Sequence, residues 1–232
     1  MPTFDSTRLV RIPRMRVDAE SAYATGRRRD GNLYTRDDST FMQNQIAVLR
    51  WLIPNIRDMR VVKPTLTVAD SLVLHRGERT IVVRYLGRGN TRGDLTVWLP
   101  KERIVATGDL LVHPGPYSFG SYLGEWIKTL GRVRDLPVDV IVPGHGAIQR
   151  DRQYLDLVVS LLEYTLAQAR DAVAKGLDLE ATRRAISFDE FRQRFTGGDP
   201  ARVRAFNAYF VQPAVERAWR EARGELDRPS ND

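Results

Sequence analysis

The chain's apolar and polar positions change rhythm twice along its 232 residues. In residues 1–63, Phe41, Met42, Ile46, Leu49, Leu52, Ile53 and Ile56 recur at helical spacing. Thr35, with Asp38 three residues on, supplies a helix start and an acid near the positive end of the helix dipole. Pro54 should kink or end that helix, because it has no N–H and its ring crowds the preceding turn. The stripe is packing surface.

Residues 64–150 switch to short runs rich in Val, Ile, Leu and Thr, separated by Gly, Pro or charged turns. These runs predict strands at Thr65–Val68, Ser71–Leu74, Thr80–Leu86, Leu95–Leu99, Arg103–Ala106 and Val138–Val142. Pro100, Lys101 and Glu102 read as a hairpin turn. Between strands, Tyr122–Val133 places Trp126, Ile127 and Leu130 on one helical face. Strands interleaved with helices predict an α/β layered fold.

Residues 151–226 return to helical spacing. Asp151 caps a predicted helix that buries Leu155, Val158, Val159, Leu162 and Leu166 and stops at Gly176. Ser187 and Glu190 form a capping-box pattern for a short helix through Phe195. Asp199 and Pro200 are an N-cap followed by proline at the first helical position. A last helix passes through Phe206, Phe210 and Trp219, with Pro213 as its expected kink. Residues 227–232 are expected to be disordered. The organisation predicted is a helical segment over 1–63, a β-rich part over 64–150 and a helical tail over 151–226.

Composition narrows the chemistry. No cysteine is present, so disulfides and thiolate-bound zinc are excluded, and a metal would need His, Asp or Glu. This fits a reducing, cytoplasmic location. No apolar run is long enough to span a bilayer, and the N-terminus lacks the apolar core of a signal peptide. The net charge of +7 is spread along the chain and interleaved with acids, as in VERAWREARGELD. It reads as a solvated surface rather than a nucleic-acid site, and Arg27–Arg29 beside Asp30-Gly31-Asn32 reads as an exposed turn.

Three histidines exist: His75, His113 and His145. His75 ends an alternating strand and is expected at the surface. His113 lies in a Pro/Gly-rich loop, LLVHPGPYSFGSY. His145 lies in VPGHGAI, directly after an apolar strand, where glycines allow a sharp turn that presents the imidazole at the sheet edge. Asp109, in VATGDLL, follows another apolar strand. An Asp and a His at neighbouring strand ends are reasonable oxygen and nitrogen ligands for zinc. A third turn, LGRGNTRGD, presents Asn90, Thr91 and Asp94 between glycines.

The series GRGNTRGDLTVWLPKERIVATGDLLVHP followed by VIVPGHG resembles the second half of the metallo-β-lactamase superfamily. The resemblance extends through the helical tail to about Gly224. It implies that Asp109 is the metal-bridging aspartate of the T-G-D turn and that His145 is the last histidine ligand, in P-G-H-G. Asn90 stands where the family's G-H-T turn usually carries a histidine. The implied activity is metal-dependent hydrolysis of an ester, thioester, amide or phosphoester. Zinc is the implied cofactor, and Asn90, Thr91, Tyr117 and Tyr122 are implied to line the substrate pocket.

The family's main signature, H-x-H-x-D-H, has no counterpart in this sequence, so three or four of the usual ligands are missing. A catalytic zinc takes three protein ligands plus water, and Asp109 with His145 supplies two. The implied fold is therefore a partial αβ/βα sandwich whose sheet has one face without its natural cover. Residues 1–63 then resemble a helical insertion. An N-terminally truncated hydrolase follows as the first expectation. A catalytically silent binding module, paired as a homodimer through the open face, is the second. A nucleic-acid-binding protein ranks last.

Overall fold

The computed structural model describes residues 15–17, 19–27, 33–56 and 64–226. The chain divides into two compact units, Met1–Leu66 and Thr67–Asp232. The first unit is built on helix α1, Arg36–Ile56, which begins with the Ser39 N–H donating to the Thr35 carbonyl. Its stripe is only partly buried: Ile46 is buried, Phe41 is exposed, and Met42, Leu49, Leu52 and Ile53 lie between. Pro54 sits inside the helix near its end. Polar contacts tie α1 to the short helical run at 19–24, with Arg50 donating to Glu20 at 2.9 Å and Gln43 to the Tyr23 hydroxyl at 2.6 Å.

The second unit is a five-stranded sheet with helices. Its strands are β1 Ser71–Arg76, β2 Arg79–Tyr85, β3 Leu95–Leu99, β4 Ile104–Val112 and β5 Val140–His145, in that spatial order. β1 to β4 form an antiparallel meander, and β4 pairs β5 in parallel. A parallel pair needs a crossover, and helix α2, Leu123–Arg134, supplies it. The tail follows as α3 Gln153–Ala174, α4 Leu179–Ala185, α5 Asp189–Thr196, α6 Pro200–Phe206, a π-helical turn Asn207–Val211, and α7 Gln212–Ala222. Among the described residues no helix is long and apolar enough to cross a membrane.

Register separates the two faces of the sheet. Directly opposed residues share a face, so Val73, Val82, Trp98, Val105 and Ile141 form one row. Burial along this row deepens toward β4 and β5, where Val105 and Ile141 pack into the helical core. That core joins Leu110, Leu123, Trp126 and Leu130 to Leu155, Leu162 and Phe210. The opposite row is Leu72, Val83, Val97, Ala106 and Val142, and none of it enters that core. Strands apolar on both faces are the pattern of a sheet covered on both sides. Here the second row stays half-buried, with Val97 exposed.

Several elements differ from their sequence-based expectation. Residues 65–68 form no strand. β4 runs on to Val112, so Asp109 lies within the strand rather than beyond it. The reason is that Leu110, Leu111 and Val112 are fully buried, which keeps the chain extended past the T-G-D turn. Asp151 does accept the Gln153 N–H at 2.9 Å, although the helix is capped at Arg152. Ser187 accepts weakly from the Asp189 N–H and donates to the Asp189 carboxylate, so α5 starts without the predicted box. Asp199 caps α6 as predicted, accepting from the Arg202 N–H at 2.8 Å. Arg28–Asn32 and 227–232 lie outside the described residues.

The predicted kink at Pro213 is resolved as a widened turn. Pro213 cannot donate to the carbonyl of Tyr209, four residues back. The π-helical turn immediately precedes it, and the Tyr209 carbonyl instead accepts the Ser118 N–H at 3.0 Å. The Ser118 hydroxyl donates to the Phe210 carbonyl, also at 3.0 Å. The tail is thereby joined to the loop that follows β4.

Leu162 is fully buried in α3. Leu162→Ala is expected to lower unfolding free energy by about 2–5 kcal/mol in urea titrations. Leu66→Ala, at an exposed position, is expected to change it by less than about 0.5 kcal/mol.

Candidate functional site

Parallel strands bring their carboxyl ends to the same sheet edge, and in open α/β sheets ligands bind there. β4 delivers Asp109 to that edge and β5 delivers His145. The His145 Nε2 lies 3.5 Å from the Asp109 Oδ1, and both side chains are open to solvent. The two strands are close because β5 carries glycine where β4 presses hardest. A Cβ on Gly144 would lie 2.2 Å from the Asp109 Oδ1 and 2.7 Å from the Gly108 carbonyl carbon. Gly146, at φ +84°, takes a conformation that side chains disfavour, and a Cβ there would lie 2.1 Å from the His113 carbonyl oxygen.

The parallel ladder shifts register between Ala106 and Val112, which frees carbonyls of β4. Buried carbonyls need partners. The Trp126 indole of α2 donates to the Leu110 carbonyl at 3.0 Å, and the Tyr154 hydroxyl of α3 donates to the Val112 carbonyl. Both covering helices thus grip the strand on either side of the edge. Beyond β4, the His113 N–H donates to the His145 carbonyl at 3.1 Å, closing the site loop onto the end of β5.

His113 is drawn inward. Its ring meets Tyr154 edge to face at 4.9 Å, and its Nδ1 accepts the Ala147 N–H at 3.5 Å. Burial lowers its pKa below the ordinary 6.5, and the nearby charge of Arg202 lowers it further. Tyr117 stands on the other side: its ring is 5.6 Å from that of His145 and 5.4 Å from that of Tyr209. Its pKa is raised by burial first, then by Tyr209 and Asp109. Burial also raises that of Tyr154.

The other sequence-predicted residues have different partners. Asn90 is buried, with its backbone carbonyl near Gly120. The Thr91 N–H and hydroxyl both donate to the Asp94 carboxylate, at 2.7 and 2.8 Å, which closes the G-N-T turn on itself. Tyr122 is buried, with the guanidinium carbons of Arg88, Arg217 and Arg92 at 4.2, 5.0 and 5.8 Å from its ring centre. The site therefore gathers Asp109, His145 and Tyr117. To these the structure adds His113, Tyr209 and Arg202. His113 was visible in its Pro/Gly-rich loop, but Tyr209 and Arg202 carry no local signal, since only the folded tail brings them near.

The fit of this set to a metal can be tested on the distance. Two donors about 2.0–2.1 Å from a tetrahedral zinc stand roughly 3.4 Å apart. The 3.5 Å between Asp109 and His145 meets that separation. Among the described residues, however, no group of three or more His, Cys, Asp or Glu side chains comes together. Exposed His75, its Nδ1 3.5 Å from the Thr80 hydroxyl, lies on the far edge strand. The pair therefore fits as two donors and does not complete the three-ligand set of a catalytic zinc.

A family profile described as "Metallo-beta-lactamase superfamily" matches residues 18–145. A metallo-beta-lactamase type 2 from Bacillus cereus is 31% identical over 93 residues, which is 38% of this chain and 36% of that protein. A second, from Bacillus sp. (strain 170), is 30% identical over 78 residues, 31% of this chain and 30% of that protein. The chain thus spans about a third of the length of these curated relatives. Among solved structures, the stereoselective inverting sec-alkylsulfatase Pisa1 from Pseudomonas sp. aligns with 74% of this chain and 28% of its own, at TM-score 0.51. At 14% identity that likeness is one of fold alone.

Two outcomes follow from this geometry. Gly144→Ala is expected to cost about 1–3 kcal/mol of stability, read in urea titrations, because the added carbon overlaps Asp109 and the β4 backbone. Since the folded-state pKa of His113 is depressed, its contribution to stability is present above the ordinary 6.5 and is lost as pH falls through the lower folded value. Between about pH 7.5 and about pH 5.5 the wild type is expected to lose more thermal stability than His113→Gln.

Proposed function

Because the chain belongs to the metallo-β-lactamase superfamily, we propose that it carries the Asp109 and His145 portion of a metal-dependent hydrolase site. The remaining metal donors come from outside the described residues. The bond cleaved is an ester, thioester, amide or phosphoester. The observation that carries this reading is the 3.5 Å pair at the carboxyl ends of β4 and β5. An oxygen and an imidazole nitrogen so spaced suit zinc.

When bound, the metal supplies a Lewis acid and a water of lowered pKa. Asp109 and His145 hold two of its positions. The His113 N–H fixes the end of β5 and with it the direction of His145. Tyr117 packs beside His145 and walls the pair on the side of the tail helices. Of the residues expected to line the pocket, Tyr117 is the one that meets the pair. The Thr91 hydroxyl is spent on Asp94, and Tyr122 on its arginines.

A second reading is a catalytically silent module whose site residues are remnants. It is favoured by the incomplete donor set among the described residues and by the half-buried apolar row of the sheet that stays outside the helical core. Zinc content measured by elemental mass spectrometry after dialysis against zinc distinguishes the two. The hydrolase reading expects zinc in the wild type that is lost in both Asp109→Ala and His145→Ala. It also expects retention to rise with protein concentration if a second copy completes the set. Zinc unchanged in Asp109→Ala removes that residue from the site. No zinc in the wild type at any concentration leaves the silent module.

A further inference from the structure

Next to the Asp109–His145 edge, the loop after β4, the helices α5 and α6 and Tyr209 of the π-helical turn form a cavity of about 100 Å³ that is open to solvent on one side. Its walls are almost wholly carbon. Pro114 and Pro116 line it from the loop, and Phe195 and Phe206 line it from the tail. Those two rings stack at 5.3 Å, and Phe206 stacks on fully buried Phe210 at 5.6 Å, so the tail wall is fixed by packing. Tyr117 belongs to both places, since it lines the cavity and its ring lies 5.6 Å from that of His145. A group seated in the cavity therefore abuts the edge where Asp109 and His145 stand.

One charged residue lines the cavity. Arg202, in the first turn of α6, is exposed, and among the described residues its guanidinium makes no hydrogen bond or ion pair. Its field reaches inward as far as His113. An apolar cavity with a single unpaired cation beside it is complementary to an apolar group carrying an anion. Size sets the apolar part: a cavity of about 150 Å³ takes a benzene ring, so one of this size takes a chain of roughly four to five carbons.

We propose that this cavity is a binding site for a short aliphatic carboxylate, with the chain between Pro116 and Phe206 and the carboxylate on Arg202. This deepens the hydrolase reading and rests on it only for the further consequence that the substrate is an ester or thioester with a short apolar acyl part bearing a carboxylate. The site itself stands on the cavity alone. Arginine meets a carboxylate with charge-assisted, bidentate hydrogen bonds, which sets the preference for an acid over the matching alcohol.

The test is direct binding of hexanoate to the full chain, by ligand-observed NMR, in the presence of a chelator. Metal then plays no part, and failure here is separable from failure of the zinc measurement. Hexanoate is expected to bind at least tenfold more tightly than 1-hexanol, and acetate not at all. Arg202→Gln, a surface change that leaves the fold intact, is expected to weaken hexanoate about tenfold and leave 1-hexanol unchanged. Ala205→Phe, which fills the cavity, is expected to abolish both. The proposal is overturned if the folded wild type does not bind hexanoate. It is equally overturned if Arg202→Gln leaves the acid's advantage over the alcohol intact, or if a folded Ala205→Phe binds as the wild type does.

Discussion

Strands β4 and β5 run parallel, and a parallel pair brings two carboxyl ends to one edge of the sheet. That geometry is what allows an aspartate and a histidine 36 residues apart to approach within 3.5 Å. It holds because the chain is trimmed at Gly144 in β5 and at Gly146 just past its end, where a side chain would strike Asp109 or the His113 carbonyl. The loosened ladder at this end leaves carbonyls to be satisfied, and Trp126 and Tyr154 reach in from α2 and α3 to do so. Core helices and site edge are therefore one construction. The indole and phenol that bury the helices also hold the strand that carries Asp109.

The tail helices belong to the same construction. Pro213 leaves a carbonyl without its helical donor, the π-helical turn opens the backbone, and buried Ser118 from the site loop fills the gap. A chain of aromatic contacts runs from Phe210 and Phe206 through Phe195 to Tyr154 and on to His113. A second, Tyr209 to Tyr117, reaches His145. The tail thus forms a wall of the site, and it lies beyond the span of the family match, which ends at His145. Whatever chemistry the superfamily lends this chain, the space beside it is shaped in part by residues outside that match, Phe195, Arg202 and Phe206 among them.

Two features of the second unit share a physical meaning. One face of its sheet carries an apolar row, Leu72 to Val142, that stays outside the helical core. The edge of the same sheet carries the two proposed metal donors, Asp109 and His145, and among the described residues no third His, Cys, Asp or Glu joins them, where a catalytic zinc needs three. A covering layer that brought further donors would answer both.

The sequence by itself determined the strand-and-turn texture, the crossover helix, the cap at Asp199, the stop at Gly176, and the placing of the T-G-D and P-G-H-G turns at neighbouring strands, where Asp109 and His145 lie 3.5 Å apart. Each of these rests on local physics: period, turn residues and capping groups act within a few residues of themselves. β3 at Leu95–Leu99 was legible to the residue for the same reason. Only the tertiary structure decided that β4 continues through Asp109, because burial of Leu110 to Val112 by distant helices, and no local preference, keeps it extended. It also decided that Thr91 and Tyr122 are engaged by Asp94 and by arginines, and that Arg202, Tyr209 and Ser118 stand at the site. Those residues are separated from Asp109 or from each other by up to 100 positions. Nothing in the spacing of a chain encodes a contact that packing alone creates.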